Sequence, residues 1–308
     1  MSSTSTGVRA AVRGRAPAWR RRQALAAWLF ALPFTLLFAA FMVGPLLASV
    51  GLSLTDMTSR DLRTPLAVRF VGLGNFVELA GDETFVRAIG NTVYFVGVGV
   101  PLTVAVALLL ALALNNGINR FRSLFRVGFY TPVVTSIVAI AVVWKYILEP
   151  DGLLNQGLGA IGIGGPDWLN DTRFAMPSLI LLAMWRNMGT LMIIFLAGLQ
   201  GLPADVYEAA RMDGANALQR FRSLTLPLLR PTLLLGCVLI SVYYFQFFEE
   251  AFVMTEGGPL ESTLSITYFT YNEFGYGNYG YASAASYVLA IAIGLVTLVQ
   301  FRLLREKG

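Results

Sequence analysis

Charged residues fall in clusters along the chain and leave six stretches almost free of them: residues 23–55, 88–119, 127–144, 174–204 (interrupted only by Arg186), 231–248 and 274–301. A hydrocarbon core is about 30 Å thick and a helix rises about 1.5 Å per residue, so about 20 apolar residues cross it. The pattern predicts an all-α transmembrane protein with six helices, near 24–54, 88–114, 129–147, 175–199, 231–250 and 282–303. One membrane domain, 24–308, then follows a basic tail at 1–23. The first stretch has the basic lead-in of a signal peptide, with Arg9, Arg13, Arg15, Arg20, Arg21 and Arg22. Its apolar run is about twice the length of a cleavable core, so it reads as a retained anchor. Gly44-Pro45 and Pro101 lie inside spans and are expected to kink them.

Composition sharpens this picture. Of 308 residues, 56% are hydrophobic and 13% charged, against about 25% charged in an ordinary soluble domain. Histidine is absent and Cys237 is the lone cysteine, which excludes disulfide frameworks, zinc sites and Cys/His nucleophiles. The two lysines, Lys145 and Lys307, each follow a residue other than glycine, so the chain has no ATP-binding P-loop of its own.

Charge also sets direction, because cytoplasmic loops carry the excess of Lys and Arg. The 1–23 tail, the 115–131 and 200–230 loops and the C-terminal tail together hold 16 basic and 4 acidic residues. The alternate connections at 55–88, 148–175 and 249–281 hold 5 and 14. Both termini are therefore expected in the cytoplasm, and the net charge of +5 marks topology rather than nucleic-acid binding.

The 201–227 loop carries the most information. Pro203 suits a helix start, Asp205 complements the positive end of the dipole, and a short helix should run to about Met212. Gly214 supplies a turn, and a second amphipathic helix should place Ala217, Phe221 and Leu224 on one face and Gln219, Arg220 and Arg222 on the other. Pro227 is expected to end it. By periodicity alone this is equally a helix pair lying at the lipid headgroups.

The spacing Glu208-Ala209-Ala210, three residues, Gly214, nine residues, Leu224-Thr225-Leu226-Pro227 resembles the EAA loop of permease subunits in binding-protein-dependent ABC importers. The segments FVGLGNF at 70–76, NTVYF at 91–95, MTEGGP at 254–259 and GYASAAS at 280–286 are similar to the carbohydrate-uptake branch, which includes maltose-type and glycerol-3-phosphate permeases. Within it the chain looks like the first permease of an unlike pair. The resemblance implies a type I importer permease in the inner (plasma) membrane of a prokaryote, with a cytoplasmic coupling helix between helices four and five. It also implies a second homologous permease, an ATPase dimer holding ATP and Mg, an extracytoplasmic sugar-binding protein and a carbohydrate substrate. No cofactor is expected on this chain. Coupling to the ATPase would fall to Glu208, Ala209, Ala210, Asp213, Gly214, Leu226 and Pro227.

Inside the spans, Arg186 should face the bundle interior, with Glu249 and Glu250 as candidate ion-pair partners; substrate contact or gating is the other reading. Asn187, Thr190, Tyr243, Tyr244, Gln246 and Phe247 offer the aromatic faces, amides and hydroxyls that bind sugars. With Arg186 and Glu250 they make up the candidate pathway, although tyrosines at helix ends also form interfacial belts. The acidic outer loops, notably 256–261, face either the binding protein or solvent. A stand-alone channel or ion-coupled carrier is the alternative function, and it would need carboxylates near the midplane. A membrane enzyme lacks any catalytic constellation here.

Overall fold

In the computed structural model, residues 18–64, 68–116 and 122–304 are described. Helix α1 (Ala18–Phe38) passes through a π-helical turn at Ala39–Val43 into α2 (Gly44–Ser53). Pro45 explains the turn, since it has no N–H to offer residue 41 and its ring would collide with that carbonyl. The ladder widens, and the Gly44 N–H donates to the Ala39 carbonyl. The first 51 residues form one unit; its described part is an apolar rod with no side chain of its most apolar window buried.

The second unit, Leu52–Gly308, holds the rest. Helix α3 (Gly74–Gly81) leads into α4 (Glu83–Asn116), which keeps Pro101 within a continuous helix. Helices α5 (Arg122–Val134) and α6 (Ile137–Ile147) follow, then α7 (Leu153–Ala160) and α8 (Ala175–Gln200). The core runs along α8, which packs on α4, α5 and α12. Gly189 permits the closest of these approaches, because a side chain there would strike the Phe129 carbonyl on α5.

The 201–227 segment forms α9 (Ala204–Met212), α10 (Ala217–Arg220), a π-helical turn at Phe221–Thr225 and α11 (Leu226–Leu228). Helices α12 (Arg230–Phe245), α13 (Glu249–Met254), α14 (Ile266–Tyr276) and α15 (Tyr279–Leu304) complete the chain. Among the described residues there is no strand, only an antiparallel bridge pairing Thr55 with Phe70.

Among the described residues four helices are long and apolar enough to cross a membrane, and up to six spans result if each bent pair counts as one. The third span differs from a straight 129–147 helix: α5 and α6 meet at 99°. Pro132 withholds an N–H from the ladder there, and Thr131 and Thr135 turn their hydroxyls back onto the carbonyls of Val127 and Thr131. The fifth span is shorter than 231–250. It stops at Phe245, and Glu249 and Glu250 begin the separate helix α13. At its other end the helix breaks at Leu229, with a 68° bend, rather than at Pro227. Pro231, two residues on, has no N–H to give the Pro227 carbonyl and its ring would collide with that carbonyl, so the chain cannot run through as one straight helix.

Candidate functional site

The 201–227 loop is held as a single piece by local hydrogen bonds. Pro203 occupies the N-cap position, one residue before the expected start, and Asp205 lies in the first turn of α9. At the other end Gly214 has φ +78°, the left-handed conformation that favours glycine. Its N–H donates to the Arg211 carbonyl at 3.0 Å, and the Ala215 N–H reaches back to Ala210 at 2.9 Å, the paired bonds of a Schellman stop. Asn216 then caps α10: its side chain accepts from the Gln219 N–H at 2.9 Å, and the Gln219 side chain accepts from the Asn216 N–H at 2.7 Å.

The two arms are joined by the Tyr207 hydroxyl and Thr225 Oγ1, 3.0 Å apart. Arg220 donates to the Ala215 carbonyl at 2.6 Å. Between the arms and the ends of α4 and α8 lies a cleft of about 770 Å³, lined among others by Leu112, Leu199, Tyr207, Glu208, Arg211 and Arg220. Glu208, Ala209 and Asp213 are exposed, Met212 at the tip is 89% exposed, and Ala210, Leu226 and Pro227 are half-buried. The expected faces of the second helix need correction. Ala217 is exposed and Arg220 is half-buried, because the π turn adds a residue and rotates the helix on either side of it. That rotation buries Thr225, a residue with no chemical role in the sequence reading.

The membrane cluster is divided between open and sealed residues. Arg186 on α8 donates to the Tyr243 hydroxyl, and its guanidinium lies 5.8 Å from the centroid of that ring. Arg186 Nε is buried without a hydrogen-bond partner. Among the described residues the ion pairs are Arg69–Asp56, Arg87–Glu261 and Arg173–Asp171. The expected pairing of Arg186 with Glu249 or Glu250 is therefore replaced by the tyrosine contact, since the end of α12 at Phe245 carries both carboxylates onto α13. Tyr243 and Gln246 are exposed and Thr190 is half-buried.

The remaining candidates are buried. Tyr244, with no exposed surface, shares a 2.7 Å hydrogen bond with Thr103, whose hydroxyl also contacts the Gly99 carbonyl at 2.7 Å. Its ring meets Phe95 edge-on at 5.1 Å, and Phe95 stacks on Phe247 at 4.0 Å. Asn187 turns its amide back to the Ala183 carbonyl at 2.8 Å, and Glu250 is 1% exposed. In this conformation Tyr244, Phe247, Asn187 and Glu250 are packed within the subunit rather than presented to a passing sugar. Thr103, which holds Tyr244 in place, carried no sequence signal beyond its place in an uncharged window, and Phe95 entered only as the end of the 91–95 segment, with no packing role assigned.

Outside the spans, the hydrogen bond from Arg173 is the main cause that holds the Asp171 carboxylate at about 2, and Thr58 keeps Asp61 below the usual carboxylate range.

Residues 71–306 match the family described as "Binding-protein-dependent transport system inner membrane component". The chain is 38% identical to the lactose transport system permease protein of Rhizobium radiobacter, over 91% of this chain and 94% of that one. It is 30% identical to the trehalose/maltose transport system permease protein of Thermococcus litoralis, over 93% and 96%. Among solved structures, a bacterial ABC transporter involved in the import of the acidic polysaccharide alginate matches with a TM-score of 0.76 at 25% identity, covering 93% of this chain and 98% of that one. An alginate transporter in complex with an alginate pentasaccharide-bound periplasmic protein shares the fold, with a TM-score of 0.80 at 24% identity over 94% and 97%.

Proposed function

Because the chain belongs to the binding-protein-dependent transport system inner membrane components, we propose that it forms one half of the translocation pathway of an ATP-driven sugar importer. It is a multi-pass inner-membrane transport subunit. In the proposed assembly a second, homologous permease completes the pathway, an ATPase dimer binds ATP and Mg, and an extracytoplasmic binding protein delivers a mono-, di- or oligosaccharide. Both termini and the 201–227 loop are on the cytoplasmic side, as the basic excess of those segments supports.

The observation that carries this reading is the construction of α9. Its Glu208, Ala209 and Met212 and the Asp213 that follows are exposed, while Tyr207 ties the same helix to Thr225 in the π-helical turn that leads through α11 to α12. A force applied to the exposed side is delivered to a span end through a short, hydrogen-bonded body, as transmission between two states requires. Arg186, Tyr243, Gln246 and Thr190 form the part of the pathway that is open in this conformation. The relatives' named substrates, lactose and trehalose/maltose, support a carbohydrate.

The test is to solubilise the protein from its native membrane, purify it and identify its companions. A second permease, an ATPase dimer and a sugar-binding protein are the expected result. Purification alone or as a homo-oligomer would contradict the reading and favour a stand-alone channel or ion-coupled carrier.

A further inference from the structure

The cleft between the arms of the 201–227 loop has walls of two kinds. Ala204, Tyr207, Glu208 and Arg211 line it from α9; they stand three or four residues apart and so share one helix face, while Ala209 and Met212 lie on the other, exposed face. Leu112 and Leu199, at the ends of α4 and α8, and Leu218 and Phe221 on the second arm make much of the rest apolar. The charged lining is Arg211, Arg220 and Glu208, two guanidiniums against one carboxylate, which leaves a single positive charge.

The second arm is suited to a membrane surface. Residues 217–228 are apolar enough to count with α12 as one span, yet they bend away from it by 68°. Leu218 and Leu228 are exposed beside exposed Arg222 and Arg230, the mixed surface of a helix lying among lipid headgroups. Neither cleft arginine is committed to a carboxylate. Arg211 enters none of the ion pairs among the described residues, and Arg220 gives one hydrogen bond, to the Ala215 carbonyl at 2.6 Å. The cleft, about 770 Å³, would stay mostly empty around an inorganic phosphate, which has roughly three times the volume of a water molecule of about 30 Å³.

We propose that this cleft is a binding site for one anionic phospholipid. Arg211 and Arg220 hold its phosphodiester from the two arms, and the one negative charge of a phosphatidylglycerol-type head balances the lining. The first carbons of its acyl chains lie on Leu112, Leu199 and Phe221. The lipid thereby fills the gap between α9 and the span ends and braces α9 from behind its exposed face. Anionic lipid is a feature of the cytoplasmic leaflet, so this rests on the cytoplasmic placement of the loop proposed above.

The test uses the full chain with its co-purified companions in nanodiscs of phosphatidylcholine carrying rising fractions of phosphatidylglycerol, and counts the lipid retained by this chain in native mass spectrometry. Arg211→Gln and Arg220→Gln are each expected to raise the fraction needed for half-occupancy about fivefold, the equivalent of about 1 kcal/mol per arginine at an anionic surface. Arg222→Gln removes the same charge from outside the cleft and should leave that fraction unchanged. Equal shifts in all three variants would overturn the proposal, reducing it to a general attraction between basic surface and lipid, as would a parental chain that retains no phosphatidylglycerol. So would release of the lipid by inorganic phosphate, which marks a soluble-anion site, or its absence whenever an ATPase is bound, which marks a polypeptide as the occupant. Nanodiscs offer the same lipid on both faces, so the count tests the cleft whichever side it faces; a failure of the importer reading would show in the companions instead.

Discussion

The Tyr207 hydroxyl and Thr225 Oγ1 stand 3.0 Å apart, joining the exposed α9 helix to the π-helical turn that leads through α11 to the fifth span. Neither lies in a charged or glycine-marked position, yet together they close the loop into one body. Tyr207→Phe should leave the complex assembled and lower transport several-fold. Thr225→Val should do the same, and the double variant should be little worse than either. The coupling energy expected from such a cycle is about 1 kcal/mol; additive losses would show that the two residues act separately.

Gly214 is open to added volume, with no atom within 4 Å of a side-chain position. Its constraint is backbone conformation, φ +78°. Replacement by a β-branched residue costs roughly 1–2 kcal/mol in that region and undoes the α9 stop. Gly214→Val should abolish transport while the chain still reaches the membrane, and Gly214→Asn should retain most activity. Uptake by cells with immunoblotted membranes separates these outcomes; normal uptake by the valine variant would remove Gly214 from the coupling role.

Tyr244 is expected to act through packing. Tyr244→Phe leaves Thr103 without its interhelical partner, a loss of about 0.6 to 1.7 kcal/mol by analogy with other membrane helices. Gly99→Ala drives a methyl to 2.8 Å from the Tyr244 ring. Both should lower thermal stability in detergent and leave the preference among sugars unchanged. A shift in preference would return Tyr244 to the pathway.

Arg186 answers to Tyr243 rather than to a carboxylate. Arg186→Glu combined with Glu250→Arg should therefore fail to recover the activity lost in Arg186→Glu, as uptake assays would read. Recovery would establish the ion pair instead.

How far the sequence could be read depends on the range of each interaction. The 201–227 loop was legible because its helix start and glycine stop are encoded within a few residues of one another; the Asn216 cap, equally local, is a finding of the structure. The four unbroken apolar helices and the two bent pairs fall in the windows that charge spacing marks out. The 99° break between Val134 and Ile137 was hidden, since one proline and two threonines inside a span are ordinary there. Arg186 was recognisable as a residue needing a partner, but choosing Tyr243 over Glu249 or Glu250 depends on where α12 ends, which composition leaves open. Tyr244 shows the same limit: its partner Thr103 lies 141 residues away, beyond any local pattern.

The most direct test of the central claim is uptake by proteoliposomes containing the complete complex. Radiolabelled sugar, presented with the binding protein outside, should accumulate only when ATP is enclosed at the ATPase side, and Gly214→Val should stop accumulation without dispersing the complex. Sugar entry by this chain alone, or entry unaffected by removing ATP, would contradict the account and leave a self-sufficient channel or carrier in its place.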